Sequence, residues 1–258
     1  MKKAVIGVLI FLIVVIFGSF SIRYFANAPE QDNWFNRDYR AKLSRYPLLR
    51  SMYGLHWDGD GAADYLMSAR YPEMDIVINR FDECSISPAV TEQIQLEVER
   101  VVKKSGQVRI VDGSVFALTL DSYDRPGIRA IASKYHERHT AGQTAVLNVY
   151  CLNSYSEQPS NVGLTVNEDG VVVFFKTLQN DVGSLSDALE TYLISTILHE
   201  FGHQLGLPHG TDQTCLMAET VEVAGELDPR FASFTPVSFC PEEIQRIEEI
   251  RSALYNSK

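Results

Sequence analysis

The chain has 258 residues, enough for one domain of ordinary size with additions and for a substantial hydrophobic core. Its 23 Lys and Arg against 33 Asp and Glu leave a formal charge of −10, and no basic cluster interrupts that balance. Phosphate backbones would be repelled, which excludes nucleic acid as a partner.

At the amino terminus Lys2 and Lys3 precede residues 4–22, which carry no charge and as a helix would span about 28 Å, close to the thickness of a bilayer core. The expectation is a short cytoplasmic amino terminus (1–3) and a transmembrane signal-anchor (4–22) that makes the membrane a partner and leaves the body of the protein on the extracytoplasmic side. Ala26-Asn27-Ala28 has the form of a cleavage site, so the alternative is secretion after cleavage near Ala28. Residues 23–73 read as linker and amino-terminal extension. The first part is polar and contains Pro29, and Asp38 to Met52 has helical spacing at Tyr39, Leu43, Tyr46 and Leu49, opposed by Pro47. In Asp58-Gly59-Asp60-Gly61-Ala62-Ala63-Asp64 three carboxylates could ligate calcium. The stretch lacks the sixth-position glycine and distal glutamate of an EF-hand, so a turn is expected and calcium is not.

Met74 to Phe81 predicts a strand, and Pro88 to Lys104 a helix with Ile94, Val98, Val101 and Val102 as its buried stripe, stopped by Gly106. Val108 to Val111 and Phe116 to Leu120 predict two short strands, and Ile128 to His136 a loop or short helix. Thr144 to Leu152 is β-branched enough for a central strand. Val162 to Val166 and Val171 to Leu178 flank Asn167-Glu168-Asp169-Gly170, a hairpin signal. His136 and His139 could bind metal, but no third ligand is near in sequence, and a solvated loop is the expected reading. A final helix, Pro241 to Leu254, carries Ile244, Ile247, Ile250 and Leu254 on one face.

The most informative stretch is His199-Glu200-Phe201-Gly202-His203-Gln204-Leu205-Gly206-Leu207-Pro208-His209. Leu189, Leu193, Ile194, Ile197 and Leu198 have a helical spacing that continues into it. Four residues on a helix are about 40° of rotation and one turn of rise, so His199 and His203 project from one face toward a common point. Glu200 lies one step round, within reach of a metal-bound water, and is the candidate general base. A tetrahedral zinc with one open position needs a third protein ligand, for which His209 is the candidate. Six residues beyond His203 is about 600° of rotation, so the helix cannot simply run on. Gly206 can take the left-handed conformation that stops it, and Pro208 stiffens the exit.

These eleven residues resemble the zinc-binding signature of the metzincin metalloproteases, and Met217 stands where that clan has its Met-turn. Cys215-Leu216-Met217 is most similar to the archaemetzincins, which place a Cys two residues before the methionine. Gly210 stands where that family has a Cys after the third histidine. A later Cys-x-x-Cys is represented only by Cys240, so the family's second, structural zinc cluster is not expected. The resemblance implies an α+β fold over residues 74–258: a mixed β-sheet upper lobe over an active-site helix, and a smaller irregular lower lobe with the carboxy-terminal helix. It implies one catalytic zinc held by His199, His203 and His209, with Glu200 as base and Met217 as a packed floor. It also implies an edge strand, here Gly163-Leu164-Thr165, pairing with extended substrate. Glu219 stands where some metzincins have a tyrosine that assists the oxyanion.

Four cysteines are compatible with an oxidising compartment. Cys215 and Cys240 flank the Met-turn region and are expected to pair, doing what the family's zinc cluster would otherwise do; Cys84 and Cys151 would be the second pair, with buried thiols as the alternative. The expected activity is hydrolysis of peptide bonds in a peptide or protein substrate by a metal-activated water. Two alternatives stay open: an inactive metal-binding interaction protein of the same fold, and a zinc amidase acting on cell-wall peptides. Nothing in the sequence sets an oligomeric state.

Overall fold

The computed structural model describes residues 2–26, 33–44, 46–53, 55, 59–182, 186–219 and 235–256. The chain divides into two compact units, Met1–Asp60 and Gly61–Lys258.

The first unit contains α1 (Lys2–Ala26), a π-helical turn (Asn36–Arg40), α2 (Ala41–Leu43) and α3 (Pro47–Tyr53). The helix expected from Asp38 to Met52 is thus broken, and Pro47 takes the first position of α3, where its missing N–H costs nothing. Ala26, Phe35 and Leu55 form a small core, against which Ile22, Phe25, Leu43 and Tyr53 pack. Arg40 Nη1 donates to the Ala26 carbonyl at 2.9 Å, and Ser19 Oγ meets Tyr53 Oη at 3.0 Å.

Among the described residues no helix is long and apolar enough to cross a membrane. This overturns the expected transmembrane anchor over residues 4–22, and with it the membrane partner and the membrane-anchored location. The physical reason lies in the last turns of α1, which are packing surface for their own unit. Ile22, Phe25 and Ala26 are taken up by the small core and Ser19 by Tyr53. The alternative cleavage point near Ala28 lies outside the described residues, as does Asp58 of the acidic stretch. In that stretch Asp60 lies 3.4 Å from Arg40, and Asp64 lies 3.4 Å from Arg70.

The second unit is built on a five-stranded sheet of order β2-β1-β3-β5-β4. Its strands are β1 (Glu73–Phe81), β2 (Val108–Phe116), β3 (Thr144–Leu152), β4 (Gly163–Asn167) and β5 (Gly170–Phe174). The pairs β1/β2, β1/β3 and β3/β5 are parallel, and β4 runs antiparallel to β5 as an edge strand. Strands β3 and β5 are buried almost throughout, as parallel strands covered on both faces must be. The helices are α4 (Ala62–Leu66), α5 (Pro88–Val102), α6 (Arg125–Lys134), α7 (Phe175–Val182), α8 (Ser186–Gln204) and α9 (Pro241–Asn256). Helix α8 packs against α5, α7, β4 and β5, and one continuous core runs from Ala62 to Ile247. Tyr65 of α4 meets Phe201 of α8 edge-on at 5.4 Å and donates its hydroxyl proton to the Val146 carbonyl of β3. This is the expected α+β fold, a sheet over the helix that carries the histidine motif.

Two expectations change in detail. The strand expected from Val108 to Val111 runs on to Phe116 as β2, through a bulge at Asp112-Gly113-Ser114, whereas residues 117–120 of the second expected strand lie in no strand. The register passes from Ile78↔Asp112 to Arg80↔Val115, and buried Asn79 accepts the displaced Ser114 N–H at 3.1 Å. The second hairpin strand ends at Phe174, not Leu178. Phe175, Leu178 and Val182 are buried at helical spacing and form α7 instead.

Both cysteine pairs are joined: Cys84 to Cys151, which ties the loop after β1 to β3, and Cys215 to Cys240. The first closes a separation of 67 residues, for which chain entropy predicts a contribution of about 4 kcal/mol. The Cys84→Ser/Cys151→Ser variant should therefore unfold at a clearly lower urea concentration; an unchanged midpoint would show that this tie does not constrain the unfolded chain.

Candidate active site

The motif enters on α8, which is deeply buried in its second half. Leu193, Ser195, Ile197, Leu198 and Phe201 have 1% or less of their surface exposed, and His199 and Glu200 lie among them. The helix ends at Gln204 in a turn built by glycine. Gly206 has φ of 90°, its N–H bonds to the His203 carbonyl at 2.9 Å, and the Leu207 N–H bonds to the Gly202 carbonyl at 3.0 Å. This pair of bonds is a Schellman termination, which reverses the chain within two residues.

The reversal brings three imidazoles together. His209 Nε2 lies 3.3 Å from His199 Nε2 and 3.1 Å from His203 Nε2. On the far side of the rings, His199 Nδ1 lies 2.7 Å from the Leu216 carbonyl, and His203 Nδ1 lies 2.9 Å from the Leu207 carbonyl. A carbonyl oxygen only accepts, so each Nδ1 carries a proton, and each ring turns its Nε2 toward the shared point. Ring nitrogens converging from two buried histidines and exposed His209 suit a cation. A tetrahedral zinc with bonds of about 2.0 Å sets neighbouring ligand atoms about 3.3 Å apart. Both the donor chemistry and the spacing of these nitrogens fit that ion.

Glu200 is 1% exposed and lies against the edge strand. The Thr165 hydroxyl donates to Glu200 Oε2 at 3.0 Å. A Cβ at Gly163 would come 2.5 Å from Glu200 Oε1 and 2.8 Å from Thr196 Cγ2, so only glycine leaves room for the carboxylate there. Gly163 and Thr165, singled out in the sequence for their main chain, thus touch the motif glutamate directly. The Thr165 side-chain contact had no local signal, because the two residues are brought together only by packing β4 on α8.

Beneath the histidines, Met217 is 1% exposed and packs on Gly202, leaving no space there for a larger residue. The Met217 carbonyl accepts the Gly210 N–H at 2.7 Å, which ties the floor to the residue after the third histidine. Its own N–H donates to Glu243 Oε1 at 2.6 Å, and Glu243 Oε2 accepts the Cys240 N–H at 2.8 Å. Glu243 was missed in the sequence. Its position three residues after Cys240, ahead of a helix begun by Pro241, is the signature of a capping carboxylate, but nothing local links it to Met217. Of the other residues, Leu164 lies in β4 between Gly163 and Thr165, and Glu219 is exposed.

An antiparallel edge strand beside the helix that bears the histidines is the arrangement of the metzincin-like metallopeptidases, the class this fold and site define. The Matrixin model of peptidase family M10 matches residues 87–230, more than half of the sequence, and the chain belongs to that family. In fold it is similar to the archaemetzincin of Methanopyrus kandleri, at 15% identity and a TM-score of 0.52, covering 71% of this chain and 98% of that one. Weaker likenesses are to a zinc-dependent peptidase from Methanocorpusculum labreanum (15% identity, TM-score 0.48, 67% and 99% covered) and to the archaemetzincin of Archaeoglobus fulgidus complexed with malonate (14% identity, TM-score 0.44, 67% and 99% covered). No curated protein matches the sequence.

Glu243 is where the floor can be tested. Glu243→Ala leaves the buried Met217 N–H and the half-buried Cys240 N–H without their acceptor and should cost about 1–3 kcal/mol in denaturant unfolding, whereas Gln, which keeps one acceptor oxygen, should lose less. Equal losses for Ala and Gln would mean that the carboxylate holds neither N–H.

Proposed function

We propose that the chain is a zinc-dependent peptidase in which His199, His203 and His209 hold one zinc ion and Glu200 is the general base. The observation that carries this reading is the meeting of three Nε2 atoms, two of them with their proton committed to a backbone carbonyl on the other side of the ring. Bound zinc supplies a Lewis acid for the scissile carbonyl and lowers the pKa of its water toward neutrality. Glu200 takes a proton from the attacking water and passes it to the leaving amine, so one carboxylate serves both halves of the reaction. The Thr165 hydroxyl holds one carboxylate oxygen and so fixes the plane in which Glu200 receives that proton. Burial of Glu200 keeps bulk water from competing for it.

The substrate is an extended peptide. Among the described residues strand β4 pairs with β5 on one side only, and its other edge is the one along which a peptide can add as a further strand. The main chain of Gly163, Leu164 and Thr165 would form that pairing. Because Gly163 and Thr165 also touch Glu200, a peptide on this edge has its backbone held beside the base. Main-chain pairing of this kind reads backbone, not sequence, so it suits a peptidase that accepts varied side chains near the cut.

Two experiments test the assignment. Glu200→Gln should retain one zinc per chain and lose about 10²- to 10⁴-fold in kcat on a quenched fluorescent peptide library, whereas His199→Ala should lose the metal as well. Turnover by Glu200→Gln at the wild-type rate would remove the glutamate from the mechanism, and hydrolysis untouched by chelation would remove the metal. For Thr165, replacement by Val should lower kcat with little change in KM, while Ser should restore it. A Val variant with wild-type kcat would reduce the Thr165 contact to packing.

A further inference from the structure

The second unit holds another place where imidazoles and a carboxylate meet. His136 and His139 lie in the segment between α6 and β3, and Asp169 at the turn of the β4–β5 hairpin. Their ring centroids are 4.1 Å apart, and His136 Nε2 lies 3.1 Å from Asp169 Oδ2. One ligand atom from each of the three residues falls within 4.8 Å of the other two. Local sequence gave His136 and His139 no third ligand; the hairpin supplies one from 30 residues further on.

Asp169 is the informative member. Its side chain is 8% exposed, and its Oδ1 makes no hydrogen bond among the described residues. A buried carboxylate can accept several bonds, and leaving one oxygen unused in a desolvated position is costly. The guanidinium between the two histidines does not meet the need, since Arg138 Nη1 is committed to Asp75 Oδ2 at 2.9 Å. The backbone around the three residues is already joined. The Asn148 N–H donates to the Asp169 carbonyl at 2.6 Å, and Asn148 Nδ2 donates to the Arg138 carbonyl at 3.2 Å. The two segments are therefore held together before any ligand arrives, with exposed His139 beside His136.

We propose that His136, His139 and Asp169 form a second metal site, for a divalent transition ion such as zinc, that fastens the β4–β5 turn to the segment preceding β3. Two imidazoles and one carboxylate suit zinc by ligand type, and the 3.1 Å between His136 Nε2 and Asp169 Oδ2 is close to the edge of a tetrahedron with bonds of about 2.0 Å. The ion would set positive charge beside a buried carboxylate whose Oδ2 faces His136 and whose Oδ1 makes no hydrogen bond among the described residues. It would also act at a distance on the first site. The hairpin it fastens carries Gly163 and Thr165 on its other arm, and these residues press on Glu200. The role is structural: the second ion holds the strand that positions the base.

The test counts ions on the full chain, stripped by chelation, dialysed, and reloaded with Zn²⁺ or Co²⁺. The wild type should bind two ions, and His139→Ala one. His139 is the deciding position because it is exposed, whereas His136→Ala also removes the recorded partner of a buried carboxylate. The His199→Asn/His203→Asn variant should still bind one ion, with a Co²⁺ d–d absorption that disappears when His139→Ala is added. Two ions on His139→Ala, or none on His199→Asn/His203→Asn, would overturn the proposal. One ion on the wild type that is lost in His139→Ala but kept in His199→Asn/His203→Asn would uphold this site and count against the histidine-motif site instead, so the two assignments fail separately.

Discussion

The site depends on the backbone turn at Gly206. Its positive φ lets the Leu207 N–H reach back to Gly202, which ends α8, and the same turn presents the Leu207 carbonyl to His203 Nδ1. Ending the helix and fixing the protonated nitrogen of the second imidazole are thus one event. An L-residue with a Cβ at this position would be strained by roughly 1–2 kcal/mol in the left-handed region. If the chain instead continued in right-handed helix, His209 would be carried about 600° past His203 and away from the shared point.

A convergence of three imidazoles, two of them buried, also needs a surface beneath it. Residues 210–219 have little regular structure, so their backbone groups cannot be satisfied by a helix or sheet ladder of their own. Named contacts replace the ladder. The Gly210 N–H bonds to the Met217 carbonyl, Glu243 takes the Met217 N–H, the Leu216 carbonyl receives His199 Nδ1–H, and Cys215 is bonded to Cys240. Glu243 is the hinge of this arrangement, since one carboxylate caps α9 at Cys240 and holds the floor methionine. Gly202 completes it from above, because a side chain there would displace Met217.

Much of this was legible in the sequence where the signal is local. The helical spacing through Leu189 to Leu198, the two histidines four apart and the glycine before His209 all report on a few neighbouring residues, and the structure brings those residues together as the spacing implies. Signals failed where tertiary packing decides. Val171 to Leu178 reads as one apolar run, and only the burial of Phe175, Leu178 and Val182 on one side separates the end of β5 from α7. Asp112-Gly113-Ser114 carries turn chemistry, yet Asn79 of the neighbouring strand satisfies the displaced N–H and turns it into a bulge. The uncharged run 4–22 has the composition of a bilayer span, but composition cannot report that Ile22, Phe25 and Ala26 are taken up by Phe35 and Leu55. Asp169 beside His136 and Thr165 beside Glu200 are contacts across more than 30 residues, for which a single sequence carries no record.

The two halves of the proposed chemistry are held by different parts of the fold, and this has a consequence for precision. The three imidazoles are positioned by α8, by its terminal turn and by the floor, all of which are tied to one another. Glu200 leaves the same helix but its carboxylate is set by β4, through the Thr165 hydroxyl on one oxygen and the absent side chain of Gly163 beside the other. A peptide added to the outer edge of β4 would take its position from that same strand. A small shift of the hairpin then moves base and substrate together, and what must be held constant is only the distance between β4 and the helix beneath it. Packing of β4 and β5 on α8, with Leu193, Ile197 and Phe201 filling the interface region of the core, holds that distance. Since a misplacement of about 1 Å can cost on the order of a hundredfold in rate, a carboxylate on α8 whose orientation is set by an edge strand needs that strand braced from below by the core.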